Sequence, residues 1–363
     1  MPVELADSYE SIYRRAVMEM SAGRAEQAIE SMLRIVNRLR RLRPETLQRK
    51  PELQNTLIAA WNGAITFLRW EKQYDRAIAL CESVLDRLPE PGAARRRVAS
   101  LTIEKGGIDG GLARFRQEVE ESPSAGAWIE LALEYLALER FEDAKPCYDA
   151  ALSLAKSNEE AALANVGLFQ VYRETGRAEE ALSAWNMAAV LSPDIGEQPR
   201  EVVTWLIERG DLDRAREYLK NESDQVRHAF YTGLLHWEAG EHERARREWR
   251  EVLKIDVDPQ ESDIETWILA ALRLGEPKRA IELEQGMMEP GLVAPVVLAV
   301  SLGIAHAMVD EIAEAQSWFG RAILRLQRSW PSRDKIPAHL WTLLTSLVAD
   351  KETQQSLTAY FEV

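Results

Sequence analysis

The sequence predicts an all-α chain built as a solenoid of about nine helical hairpins. Three observations carry that expectation. Small residues recur at Ala28, Ala77, Gly111, Ala144, Ala181, Ala215, Ala245, Ala280 and Ala315, with gaps of 49, 34, 33, 37, 34, 30, 35 and 35 residues. A period in this range marks stacked supersecondary units, each burying its apolar face only against its neighbours. Leu, Ala, Glu and Arg dominate the chain, all good helix formers. No segment shows the period-2 alternation of a half-buried strand.

The hairpins are expected near residues 8–43, 57–91, 92–124, 125–158, 161–195, 198–222, 225–258, 261–289 and 295–329, in one continuous domain spanning 1–363. The fourth is the clearest. Trp128, Leu131, Ala132 and Tyr135 share one face of a helix, Phe141-Glu142-Asp143 turns, and Ala144, Tyr148 and Ala151 line a second helix. Small residues at Ala132 and Ala144 let the two backbones approach, and the aromatic rings fill the space around the contact. The second hairpin keeps Trp61, Ala77 and Pro89. The fifth keeps Tyr172, Gly176, Ala181, Trp185, Ala188 and Pro193, the seventh Gly233, Gly240, Ala245 and Trp249, and the ninth Leu302-Gly303, Ala315, Phe319 and Ala322. Glycines stand five residues before the anchor at Gly23, Gly176, Gly210, Gly240 and Gly275, where a helix end requires a left-handed residue. Pro89, Pro123 and Pro193, twelve residues after their anchors, end second helices. Three copies depart from the pattern, with Gly111 and Glu118 in the third, Val203 in the sixth and Glu284 in the eighth.

The long first gap holds a connector, Arg43-Pro44 to Pro51, with basic flanks at Arg34, Arg38, Arg40, Arg41, Arg43, Arg49 and Lys50. An anion-binding patch and a solvated helix face covering apolar surface are the two readings of it. The final segment, 333–363, is expected to form a capping helix pair, because a solenoid needs an atypical end. Coverage of that apolar end by a second copy of the chain is the alternative.

Composition narrows the function. A net charge of −14 argues against general nucleic-acid binding, which needs Lys and Arg to neutralise phosphates. The acidic start, Met1 to Asp7, does not read as a secretory signal. Residues 290–309 carry no formal charge and match a bilayer span in length, but Pro295, Ser301, Gly303 and His306 interrupt them. They are expected to be the buried first helix of the ninth hairpin, so no membrane span is predicted. Cys81 and Cys147 lie on second helices too far apart to bridge, which fits a reducing cytoplasm.

No chemistry is legible. Of His228, His236, His242, His306 and His339, no two have the i, i+4 spacing of a helical metal site. Gly106-Gly107-Ile108-Asp109-Gly110-Gly111 lacks the Lys-Ser/Thr of a phosphate loop and is expected to be a loose turn. No nucleophile stands in a recognisable setting. The chain is expected to be no enzyme and to need no cofactor or metal.

The hairpin pattern, from roughly residue 8 to 329, resembles the tetratricopeptide repeat. The resemblance implies a right-handed superhelix whose first helices line a concave groove for a partner peptide. Helical phase places positions fifteen, eleven and eight before each anchor in that groove. They include Asn62, Thr66 and Arg69; Arg96, Ser100 and Ile103; Ile129, Leu133 and Leu136; Val166, Gln170 and Arg173; Arg200, Thr204 and Ile207; and Phe230, Leu234 and Trp237. Four arginines and no acid appear in this set. Guanidinium forks suit carboxylates, so an acidic, partly apolar peptide is the expected ligand. The competing expectation is that these arginines pair with acids of neighbouring helices and the apolar residues pack internally. Family members that bind chaperones grip a C-terminal carboxylate with Lys and Asn. Asn62, Arg96 and Arg97 stand there without that pair, so chaperone binding is not expected. The role is thus an interaction scaffold or adaptor for a protein or peptide partner. A peptide-responsive sensor and a non-catalytic accessory subunit of an enzyme complex are the alternatives.

Overall fold

The structure, a computed structural model, describes residues 24–89, 91–196, 199–255, 264–287 and 296–328, with helical positions between residues 9 and 19. Among the described residues there is helix and no strand. The predicted capping pair at 333–363, Gly23 and His339 lie outside them.

The helices form two compact units, 1–156 and 157–363. In the first, α1 (Ala25–Leu39) packs on α3 (Pro51–Trp70), with the short α2 (Pro44–Gln48) between them in sequence. The hairpin α3/α4 (Tyr74–Glu82) follows, then α5 (Pro91–Glu104)/α6 (Ile108–Glu121) and α7 (Ala125–Ala137)/α8 (Phe141–Leu154). In the second unit, α9 (Asn158–Glu174) pairs with α10 (Ala178–Leu191), and the four-residue α11 (Pro193–Gly196) leads on. Four more hairpins follow. They are α12 (Arg200–Glu208)/α13 (Leu212–Leu219), α14 (Gln225–Glu238)/α15 (His242–Val252), α16 (Ile264–Leu274)/α17 (Pro277–Met287) and α18 (Val296–Met308)/α19 (Ile312–Arg328). Within each unit every hairpin packs on the next, the arrangement of an α-solenoid.

One backbone device makes eight of the hairpins. Five residues before the anchor the chain turns left-handed, at Lys72, Gly106, Glu139, Gly176, Gly210, Gly240, Gly275 and Asp310, with φ between 55° and 107°. The next residue donates its N–H back to the carbonyl nine before the anchor, as in Arg140 to Tyr135 (2.8 Å) and Glu241 to His236 (2.8 Å). This is the Schellman closure of a first helix. The same residue's carbonyl then accepts from the anchor's N–H, as Arg140 does from Ala144 (3.0 Å), and so opens the second helix. One position ends one helix and starts the other, which is why the hairpin period holds so tightly.

All nine anchors are buried. At the crossings a small residue twelve before the anchor faces a large one four after it. A Cβ on Gly233 would run into the Trp249 indole, and one on Gly303 would lie 2.8 Å from Phe319 Cζ. Gly111 is tighter than its alanine counterparts. A Cβ there would come within 2.5 Å of Ile103 Cγ1 and 2.9 Å of the Ala99 carbonyl, so the departure from Ala is a packing requirement.

Two local expectations are revised. The connector from Arg43 to Pro51 is itself partly helical, since Pro44 and Pro51 occupy the first turns of α2 and α3. The glycine run is a turn only at Gly106 and Gly107, because α6 already begins at Ile108. The uncharged stretch near 290–309 holds α18, thirteen residues long and buried from Leu298 to Ala307. No described helix is long and apolar enough to cross a membrane.

Candidate functional site

The predicted groove positions fall on first helices, and the two units present them differently. In unit 1, Asn62 on α3 is exposed, and Ile129 and Leu133 on α7 are half-buried. Arg69, near the end of α3, reaches α5, with Nη2 2.7 Å from Glu104 Oε1 and Nε donating to Oε2 at 3.0 Å. Arg96 on α5 reaches α7, its Nε 2.7 Å from Glu130 Oε2. The Ser100 hydroxyl donates to Glu134 Oε1 at 2.5 Å. Each first helix therefore hands a donor to an acid 34 or 35 residues further on. Arg95 adds a rung to the second helix of its own hairpin, 2.6 Å from Glu118.

The ladder is largely dry. Arg96 and Glu134 are buried, and Glu104 exposes only 6% of its side chain. Burial pushes the Glu104 carboxyl up to about 7, against the opposing pull of Arg69, and the nearby Glu134 adds to the rise. Desolvation outweighs the ion pair because a charged group in a low-dielectric site loses more hydration than one partner restores.

In unit 2, Gln170 and Arg173 on α9 are half-buried. The Arg173 guanidinium lies 2.9 Å from its sequence neighbour Glu174 and 5.7 Å from the centroid of the Phe169 ring. It also acts on Glu208 of α12, 35 residues on, whose carboxyl burial raises and Arg173 lowers. The spacing repeats that of Arg69 and Glu104. Arg200 on α12 is half-exposed, with Nη1 3.6 Å from Glu265 of α16. Phe230 and Leu234 on α14 are core residues, 2% and 4% exposed. The Phe230 carbonyl accepts from Trp249 Nε1 at 3.1 Å. Trp237 is half-buried, with its ring 4.3 Å from His242 and 5.6 Å from Trp249.

The acids of the ladder escaped the helical-phase mapping for a simple reason. Glu130, Glu134 and Glu104 stand fourteen, ten and seven residues before their anchors, each one residue beyond the positions selected. One residue is 100° of helix, enough to leave the chosen face and meet the neighbouring first helix.

The remaining titratable groups are structural. His236 and His306 each hold the acid that opens the following helix, Glu241 and Glu311, at 2.7 Å. Burial pushes the Cys81 thiol up to about 12 and the Cys147 thiol to about 11, which keeps both thiols protonated and unreactive. Among the described residues no group of three or more His, Cys, Asp and Glu is placed to hold a metal ion.

Comparison with known proteins places these helices. The tetratricopeptide repeat profile matches residues 129–196 and 206–258. No curated protein matches the chain. Solved structures similar to it include a tetratricopeptide repeat protein from Parabacteroides merdae ATCC 43184, at 17% identity over 74% of this chain and 98% of that one, with a TM-score of 0.38. Pseudomonas aeruginosa pilF shows 19% identity over 65% of this chain and 96% of that one, with a TM-score of 0.34. The APC/C hetero-tetramer Cut9-Hcn1 shows 14% identity over 90% of this chain and 63% of that one, with a TM-score of 0.35. The profile match, falling on hairpins closed by the same Schellman turn, identifies residues 129–196 and 206–258 as tetratricopeptide repeats.

Proposed function

We propose that the chain is a non-catalytic protein–protein interaction scaffold of the cytoplasm, and that its first helices hold an acidic, partly apolar peptide of a partner. The observation that carries the reading is the setting of Arg173 and Arg200. Both stand on first helices, Arg173 inside one matched stretch and Arg200 between the two, and both keep side-chain surface exposed while engaged with acids. A guanidinium has five N–H donors, so one already held by protein groups can still meet a carboxylate arriving from solvent through its exposed edge. Half-buried Gln170 on the same helix and Trp237 on α14 add a polar contact and an aromatic anchor. In unit 1 Arg69 and Arg96 are engaged by the ladder acids Glu104 and Glu130, which favours a reading in which unit 2 carries more of the recognition. A pre-formed helical surface loses little ordering entropy on binding, so modest contacts suffice.

Affinity capture from the native cell, followed by mass spectrometry, tests the reading. The full chain should retain a partner that the Arg173→Glu/Arg200→Glu variant loses, with the circular dichroism spectrum unchanged. Equal retention by the variant would remove the arginines from recognition.

A further inference from the structure

A second charged feature lies on second helices and plays no part in the peptide groove. Between α1 and α4 is a hollow of about 620 Å³ lined by Leu33, Arg34, Asn37, Arg38, Arg41 and Arg76, with Glu30 at its edge. Arg34 and Arg38 are one turn apart on α1, Arg41 follows just past its end, and Arg76 comes from α4. Arg76 is clamped, with Nη1 2.8 and 3.1 Å from the two Glu26 oxygens and 2.5 Å from Gln73 Oε1. Arg34, Arg38 and Arg41 are exposed and have no ion pair among the described residues.

Many basic residues of second helices are neutralised about one turn away, as in Lys145–Asp149 and Arg216–Asp213. Here three guanidinium groups, unpaired among the described residues, share one hollow. The C-terminal dipole of α1 accounts for one or two basic residues at its end. It does not account for Arg34 in mid-helix, nor for Arg76 reaching in from another helix.

We propose that this hollow is an anion site for a phosphorylated side chain of a protein partner. Several guanidinium forks converge on one concavity. A lone carboxylate is satisfied by one fork, whereas a phosphate monoester presents three oxygens and close to two charges to several. Leu33 and Asn37 offer the peptide around it an apolar and a polar contact. The net charge of −14 repels extended polyanions and anionic membranes over distances beyond one contact, and a single phosphorylated residue pays least of that repulsion.

The test uses the full chain on beads and a degenerate phosphoserine peptide library alongside its unphosphorylated twin. The phosphorylated library should be retained, and inorganic phosphate should displace it. Arg34→Gln/Arg38→Gln should reduce retention at least tenfold with the melting curve unchanged. Arg114→Gln, an exposed arginine of α6, should change nothing, and the dependence on Arg34 and Arg38 should persist in an Arg173→Glu/Arg200→Glu background, which separates this site from the peptide groove. Equal retention of the two libraries, or full retention by the Arg34/Arg38 variant, overturns the proposal. So does Arg34/Arg38-dependent binding of single-stranded RNA or phosphatidylserine vesicles without binding of the phosphorylated library.

Discussion

At the scale of single residues, the hairpin turn is the most demanding position in the chain. Eight turns need a left-handed residue, and five supply it with glycine. Lys72, Glu139 and Asp310 adopt it with a side chain, at φ of 55°, 58° and 62°. An L-residue held there is strained by roughly 1–2 kcal/mol, because its Cβ crowds the following carbonyl. Glu139→Gly should therefore stabilise the chain by about 1 kcal/mol, less the extra entropy of a glycine in the unfolded state. Gly240→Ala should destabilise it by a similar amount. Urea unfolding of the two variants against wild type reads both signs, and a loss of stability in Glu139→Gly would show that its side chain does more than fill the turn. The turn glycines were legible in the sequence because Gly176, Gly210, Gly240 and Gly275 repeat at one offset. The three strained turns were not, since nothing in Lys, Glu or Asp announces a left-handed φ. Only the closure bonds, such as Arg140 N–H to the Tyr135 carbonyl, show that they serve the same purpose.

Between neighbouring elements, the buried ladder across α3, α5 and α7 sets a pH dependence. Burial raises the Glu104 carboxyl to about 7 from its ordinary value near 4.5, with Arg69 opposing and Glu134 assisting. Arg97 and Tyr74 are the other titratable groups that feel this site. The folded state thus holds a proton that the unfolded chain has released between those two values. The stability this contributes is complete below about 4.5 and is lost as pH rises through about 7, on the order of 3 kcal/mol in all. Glu104→Gln keeps an acceptor for Arg69 and removes the titration. The difference in melting temperature between variant and wild type should grow in the variant's favour from pH 5 to pH 8. A difference that stays flat would mean that Arg69 holds the carboxylate charged throughout. Helical phase made the arginine half of this ladder visible, and its acid half was hidden one residue away at Glu104, Glu130 and Glu134. Phase assigns a residue to a face of its own helix. Which neighbour that face meets depends on how one hairpin leans on the next, and the period alone does not carry that angle. The same limit explains Phe230 and Leu234, placed on an open face by phase and found in the core of unit 2.

For the molecule as a whole, the period alone told where first and second helices would fall, because each hairpin is closed locally by bonds within nine residues of its anchor. The grouping of the helices into units 1–156 and 157–363 has no such local signature, and the anchor spacing runs through the boundary unbroken. Stability in an array of this kind is a sum over repeats and nearest-neighbour interfaces, so damage should spread by adjacency. Ala144 is fully buried where α8 meets α7, and Cys147 and Tyr148 crowd the same stretch. Ala144→Leu adds three carbons to a crossing with no room and should destabilise it by about 1–3 kcal/mol. Native-state hydrogen exchange locates the effect. Amides of α7 and α8 should lose most protection, α6 less, and α1 least within unit 1. Ala280→Leu should give the matching gradient in unit 2, centred on α16 and α17. Uniform loss across all the helices of a unit would instead mean that each folds as one cooperative block, with its hairpins too strongly coupled to melt singly.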